Sequence, residues 1–119
     1  MPGRPHILVV DDEPLIVETL CSLLERQGLR VSTAANGREA LDRLAAGPMD
    51  IVMTDLHMPG GNGAELVAEI RRRDSLPPVI VLTADDQAAR SLVRLGNVQV
   101  LRKPAGIGEI LAALGRVLG

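Results

Sequence analysis

Short apolar runs alternate along this chain with longer segments in which apolar residues recur at helical spacing. A short apolar run bounded by turn residues predicts a strand buried on both faces, as in a parallel sheet. The predicted strands are His6 to Val10, Arg30 to Ala34, Ile51 to Met53 with Asp55 at the carboxyl end, Val79 to Leu82, and Val98 to Leu101.

The segments between these runs predict five helices. Asp12 is expected to cap the first helix, with Pro14 in its first turn and Gly28 just past its end. Asn36 and Glu39 resemble a capping box for the second helix. The second helix ends at Gly47–Pro48, and the others are predicted at Ala64 to Arg73, Asp85 to Arg94 and Ile107 to Leu118.

Strict alternation of strand and helix predicts a doubly wound α/β domain with right-handed crossovers. Its parallel sheet of five strands is expected to be covered by helices on both faces. No linker or repeat array interrupts residues 1–119, so the chain is predicted to be a single domain.

The composition of the chain argues against several classes of function. A net charge of −2 and the absence of aromatic residues argue against direct nucleic-acid binding. No apolar run approaches the roughly 20 residues that span a bilayer, and Cys21 has no cysteine with which to form an internal disulfide. We therefore expect a cytoplasmic domain without membrane contact. The basic run at 71–73 is expected to be a solvated helix end.

In the predicted fold all strand carboxyl ends lie at one edge of the sheet, where such folds bind ligands. Reading these ends gives Asp11, Asp12, Asp55, Thr83 and Lys103. Carboxylates about 5 Å apart repel by roughly 3 kcal/mol per pair at an effective dielectric near 20. Either protons or a cation must relieve that repulsion, and oxygen ligands of this kind suit Mg²⁺.

Each of these residues also has an ordinary structural interpretation. Asp55 could simply begin a turn, and Thr83 could cap a helix. Lys103 is the single lysine of the chain and could be an ordinary solvent-exposed residue. Together they predict a phosphoryl site instead, because an aspartate is able to accept a phosphoryl group while an ammonium offsets the charge on its oxygens.

Four ordered motifs carry a family resemblance: VVDDEP at 9–14, TDLHMPGGNG at 54–63, VLTA at 81–84 and RKP at 102–104. With these motifs the chain resembles, over nearly its full length, the receiver (CheY-like) domain of two-component response regulators. The resemblance implies the flavodoxin-like strand order 2-1-3-4-5.

The resemblance also implies a phosphorylation site. Asp55 would accept the phosphoryl group from a sensor histidine kinase or a histidine phosphotransfer protein. Asp12 and Asp55 would bind Mg²⁺ through their carboxylates, His57 through its backbone carbonyl, and Asp11 through metal-bound water.

The remaining family positions concern the bound phosphoryl group and its release. Lys103 would pair with the phosphoryl oxygens, Thr83 would move to donate to one of them, and Ala84 would leave room beside the group. The His57 side chain and Asp85 would flank the path of attack and influence dephosphorylation.

Three features depart from the family pattern. Val100 stands where the family usually has Tyr or Phe, so inward rotation of a ring cannot accompany a shift of Thr83. The segment between Thr83 and Lys103 is short, which predicts a truncated fourth helix, and Ala105 replaces a frequent Phe.

The leading hypothesis is a phosphoryl-accepting signalling switch that is not an enzyme acting on other molecules. One alternative is a receiver-like interaction module that no longer switches. Another is a Mg²⁺-dependent aspartyl-phosphate phosphatase, which would need a carboxylate at the place of His57. The downstream partner and any attached output domain stay open, and a homodimer is common among such domains.

Overall fold

One parallel sheet organises the protein in the computed structural model, which describes residues 4–56, 63–72, 77–94 and 96–118. Within these residues the strand order is β2-β1-β3-β4-β5, which confirms the predicted doubly wound α/β fold. The elements in chain order are β1 (His6–Val10), α1 (Pro14–Arg26), β2 (Arg30–Ala34), α2 (Gly37–Ala46), β3 (Ile51–Asp55), α3 (Gly63–Arg72), β4 (Val79–Thr83), α4 (Asp86–Leu92), β5 (Val98–Arg102) and α5 (Ile107–Leu118).

The sheet separates two apolar cores, because successive strand side chains point to opposite faces. Ile7 and Val9 of β1 pack with α1 and α5, whereas Leu8 and Val10 pack with α2, α3 and α4. Both faces of the central strands are therefore buried, and the apolar runs that predicted them need no alternation of polar residues.

Strand register brings the carboxyl ends of β1 and β3 side by side. Val10 aligns with Thr54, so Asp11 follows β1 at the level where Asp55 ends β3. Thr83 at the end of β4 aligns with Arg102, and its carbonyl oxygen accepts the backbone N–H of Lys103 at 3.0 Å. The predicted site residues thus start from one edge of the sheet.

The ends of α1 show one wrong and one confirmed prediction. Asp12 does not cap this helix: the N-cap is Glu13, which makes no side-chain cap, and Pro14 begins the helix. The turn places the Asp12 carboxylate among other acidic groups instead. At the other end Gly28 has φ +88°, and its N–H and that of Leu29 bond back to the last turn, as a glycine-terminated helix requires.

Capping explains where α2 and α4 begin. The Asn36 side chain accepts the N–H of Glu39 at 2.9 Å, which confirms Asn36 as the cap of α2. The Glu39 side chain accepts the N–H of Ala35 at 3.1 Å, one residue before the N–H that a capping box uses. Asp85 caps α4 by accepting the N–H groups of Gln87 and Ala88. At 7 residues α4 is truncated, as the short segment predicted, and it is shorter than the expected span of 85–94.

None of the described helices has the length and apolar character needed to cross a membrane.

The expectation that the basic run at 71–73 is solvated is wrong for Arg71; Arg73 lies outside the described residues. The Arg71 guanidinium donates to the carbonyl oxygens of Pro77 and Gly96, the second at 3.3 Å. Burial lowers the pKa of this guanidinium. Arg71 therefore ties the end of α3 to the segments that enter β4 and β5.

We expect Arg71→Ala to reduce the free energy of unfolding by about 1–3 kcal/mol, because the carbonyl groups of the buried Pro77 and of Gly96 lose a charged donor. Arg72→Ala is the matched control, since Arg72 is 76% exposed and its ion pair with Glu69 lies at the surface; it should cost less than about 1 kcal/mol. Urea unfolding followed by far-UV circular dichroism measures both changes. Equal losses in the two variants would contradict the buried role of Arg71.

Candidate functional site

Three carboxylates meet at the carboxyl edge of the sheet. Asp11, Asp12 and Asp55 each offer an oxygen atom, and these atoms all lie within 4.8 Å of one another. Asp11 and Asp55 are 5% and 4% exposed, so water screens their charges poorly. A set made only of hard oxygen donors fits Mg²⁺, which is bound through carboxylates and retained waters.

The Asp11 carboxyl group is held in place by the backbone that follows it. Its Oδ1 accepts the N–H of Glu13 at 3.0 Å. Burial raises the pKa of Asp11, the Glu13 hydrogen bond opposes this by lowering the pKa, and the nearby charge of Asp55 raises it further. Such a group gains from a bound cation, because a cation favours the ionised form.

Lys103 reaches the cluster from β5, across the intervening strand β4. Its Nζ donates to Asp55 Oδ2 at 2.7 Å, which joins two residues that are 48 positions apart in the chain. About a third of the lysine side chain is exposed, whereas Asp55 is buried. An ammonium in this position is able to contact both Asp55 and a group bound to it, as a compact point charge. The Lys103–Pro104 peptide is cis.

Thr83 and Ala84 form the β4 side of the site. Thr83 is buried, and its Oγ1 accepts the N–H of Asp85 at 3.0 Å. A hydroxyl that accepts one bond is still able to donate another. Ala84 is exposed beside Thr83. The Asp85 carboxylate caps α4, so a change at Thr83 is connected to the start of that helix through two hydrogen bonds.

Val100 lies on β5 and is partly buried against the core that α2, α3 and α4 cover, where Ala88 of α4 also packs. Two aliphatic side chains therefore occupy the region where the receiver domains that this sequence resembles usually place an aromatic ring. His57 lies outside the described residues, so neither its backbone carbonyl nor its side chain is placed.

Sequence reasoning missed two features near the site. Arg102 and Asp86 form an ion pair that joins the end of β5 to the start of α4. The second is a groove of about 740 Å³ that runs from Asp11 and Lys103 between α1 and α5. The sequence feature that could have indicated this groove is Leu15, an apolar residue at the start of α1 that is 78% exposed.

A family model described as "Response regulator receiver domain" matches residues 7–115 of the chain. This range covers both aspartate motifs, the Thr83 segment and Lys103.

Curated relatives match nearly the whole chain. It is 38% identical over 117 residues to the Bacillus subtilis protein named "Uncharacterized transcriptional regulatory protein YkoG", covering 97% of this chain and 51% of that protein. It is 37% identical to the Escherichia coli "DNA-binding transcriptional regulator NtrC", covering 97% of this chain and 25% of that protein. The chain thus spans about half and about a quarter of these relatives.

Solved structures resemble the fold along its full length. The chemotaxis response regulator CheY4 of Vibrio cholerae superimposes with a TM-score of 0.87 at 29% identity, covering 97% of this chain and 99% of that one. Response regulator TrrA of Thermotoga maritima, solved in complex with Mg²⁺ and BeF, gives 0.85 at 34% identity, covering 95% and 98%.

Proposed function

Because this chain belongs to the response regulator receiver domain family, we propose that it is a phosphoryl-accepting signalling switch with Asp55 as the acceptor. The observation that carries the proposal is the contact of Lys103 Nζ with Asp55 Oδ2 at 2.7 Å. It occurs beside the Asp11 and Asp12 carboxylates, so a nucleophile, a fixed cation and metal-binding oxygens share one place.

The carboxylate of Asp55 attacks phosphorus, and the donor leaves with the electron pair of its bond. Asp11, Asp12, Asp55 and the backbone carbonyl of His57 would hold Mg²⁺, which offsets negative charge on the phosphoryl oxygens when it is bound. Lys103 also offsets negative charge on the phosphoryl oxygens, and it needs to move little because its ammonium already lies against Asp55.

Thr83 responds to the bound phosphoryl group. Its hydroxyl donates to a phosphoryl oxygen, in the space that Ala84 leaves open, and the N–H of Asp85 follows the hydroxyl that accepts it. Because Asp85 caps α4, this motion reaches the helix directly. With Val100 in place of a ring, we assign the output to the Thr83 loop and α4.

We propose a sensor histidine kinase or a histidine phosphotransfer protein as the donor. Residues 1–119 would act as a single regulatory domain that modifies only itself and does not contact nucleic acid. The cytoplasmic location and a homodimer stay predictions, as does the role of Asp85 in dephosphorylation.

The test is to incubate the protein with Mg²⁺ and acetyl phosphate and to measure its intact mass. We expect a single phosphoryl adduct that is absent in Asp55→Asn and absent when Mg²⁺ is chelated. No adduct, under conditions that label a control receiver, would instead support an interaction module that does not switch. Turnover of a phosphorylated small molecule would support the phosphatase.

A further inference from the structure

The groove between α1 and α5 reaches Lys103, whose ammonium contacts the acceptor carboxylate of Asp55. Asp11 and Lys103 line the end next to the sheet edge, here called the inner end, and apolar side chains of α1 and of the start of α5 line the walls. Leu15, Ile16 and Ile107 are exposed there. Because this apolar surface begins at the proposed reaction centre, the leaving group of a phosphodonor bound there is able to contact it.

The size and lining of the groove suit a small molecule. A volume of about 740 Å³ falls within the roughly 300–1,000 Å³ of small-molecule sites, which are mostly apolar with few polar groups. Lys103 supplies a positive charge at the inner end, where a phosphoryl group would sit. The methyl group of Ala105 leaves the groove open at the turn into α5.

We infer that this groove binds the apolar leaving group of small-molecule phosphodonors, and that it selects acyl phosphates with an extended acyl chain over acetyl phosphate. The inference rests on the proposed function and adds a class of small-molecule donor to the protein donor proposed there. The phosphoryl group meets Lys103 and Asp55, while the acyl chain lies between Leu15 and Ile107.

The transfer step balances without a further reactant. An Asp55 carboxylate oxygen forms a bond to phosphorus, and the bond from phosphorus to the acyl oxygen breaks. The acyl carboxylate leaves with that electron pair, so a dianionic donor and one carboxylate become an acyl phosphate on Asp55 and a free carboxylate. No proton, oxidant or reductant is consumed.

Burying one methylene group fully is worth about fourfold in binding. Butyryl phosphate carries two methylenes more than acetyl phosphate, and an open groove covers about half of their surface. We therefore expect the labelling rate at subsaturating donor to be about fourfold higher for butyryl phosphate, after correction for the reactivity of each donor toward hydroxylamine.

The experiment measures adduct formation by intact mass with both donors. A butyryl to acetyl ratio of about four supports the inference, and a ratio of one or less overturns it. These outcomes differ from failure of the proposed function, in which neither donor labels Asp55.

Two groove variants and one control locate the effect. Ala105→Phe fills the groove and is expected to bring the ratio toward one. Val93→Phe adds the same ring at the exposed C-cap of α4, which is 59% exposed and outside the groove lining, and is expected to keep the wild-type ratio. If Ala105→Phe does not fold, Leu15→Asn removes one apolar wall from an exposed position and should lower the ratio as well. If the groove variants keep the wild-type ratio of butyryl to acetyl labelling, the inference is overturned.

A second readout does not depend on transfer. Butylphosphonate and methylphosphonate cannot transfer a phosphoryl group, and their binding with Mg²⁺ present is measurable by NMR titration of the leucine and isoleucine methyl groups. We expect the butyl compound, which carries three methylenes more than the methyl compound, to bind about eightfold more tightly and to shift the methyl signals of Leu15 and Ile107. Equal affinities, or shifts confined to other methyl groups, would contradict occupation of the groove.

Discussion

Lys103→Met is expected to slow phosphorylation of Asp55 by acetyl phosphate by a factor of about 100 or more. The ammonium contacts Asp55 at 2.7 Å, and methionine keeps the length of the side chain while removing the charge. Without the ammonium, charge that develops on the phosphoryl oxygens loses its fixed protein cation. Initial rates of adduct formation, measured by intact mass at saturating Mg²⁺, give the factor.

Arg102→Met is the matched control for this prediction, since it removes a positive charge from the neighbouring residue. The Arg102 side chain pairs with Asp86 and not with Asp55. Its loss should change the rate less than about threefold, as expected for an exposed ion pair. Lys103→Arg should also be slowed, because a planar fork does not reproduce a compact point charge. Equal slowing in Lys103→Met and Arg102→Met would contradict a local role for Lys103.

Asp11→Asn should have opposite effects on stability and on metal binding. Burial raises the pKa of Asp11, so the folded protein binds a proton there more tightly than the unfolded chain does. Stability contributed by that proton is therefore present at low pH and is lost as pH rises through the folded pKa. At neutral pH the asparagine variant, which carries no charge, should be more stable than wild type by about 1 kcal/mol without metal.

Mg²⁺ should reverse that order. Losing one of three clustered carboxylates is expected to weaken Mg²⁺ binding by about tenfold or more, at the lower end of effects on metal sites. Added Mg²⁺ should then raise the melting temperature of wild type more than that of Asp11→Asn. Thermal unfolding with and without Mg²⁺, at several pH values, measures both effects.

Asp42→Asn serves as the control for charge alone, because Asp42 is exposed on α2 and away from the cluster. It should alter neither the metal-dependent rise nor the difference between low and neutral pH. Destabilisation of metal-free Asp11→Asn at neutral pH would show that the hydrogen bond from Glu13 outweighs relief of the crowded charge.

Much of the architecture follows from local pattern. The runs at His6–Val10 and Val79–Thr83 are apolar on both faces, and only a covered parallel sheet buries such strands. Asn36 and Gly28 mark helix ends because their chemistry satisfies backbone groups within a few residues. The start of α1 was predicted wrongly, because its N-cap is Glu13, which makes no side-chain cap, and not Asp12.

Sequence by itself determined that Asp11, Asp12 and Asp55 come from one edge of the sheet, because parallel strands all end on the same side. Only the tertiary structure decided that Lys103 reaches Asp55 across β4, that Arg71 turns inward, and that a groove opens beside Asp11. Those features join residues distant in the chain. They depend on register, side-chain reach and the placement of α1 and α5 over the same core on one face of the sheet, none of which local spacing encodes.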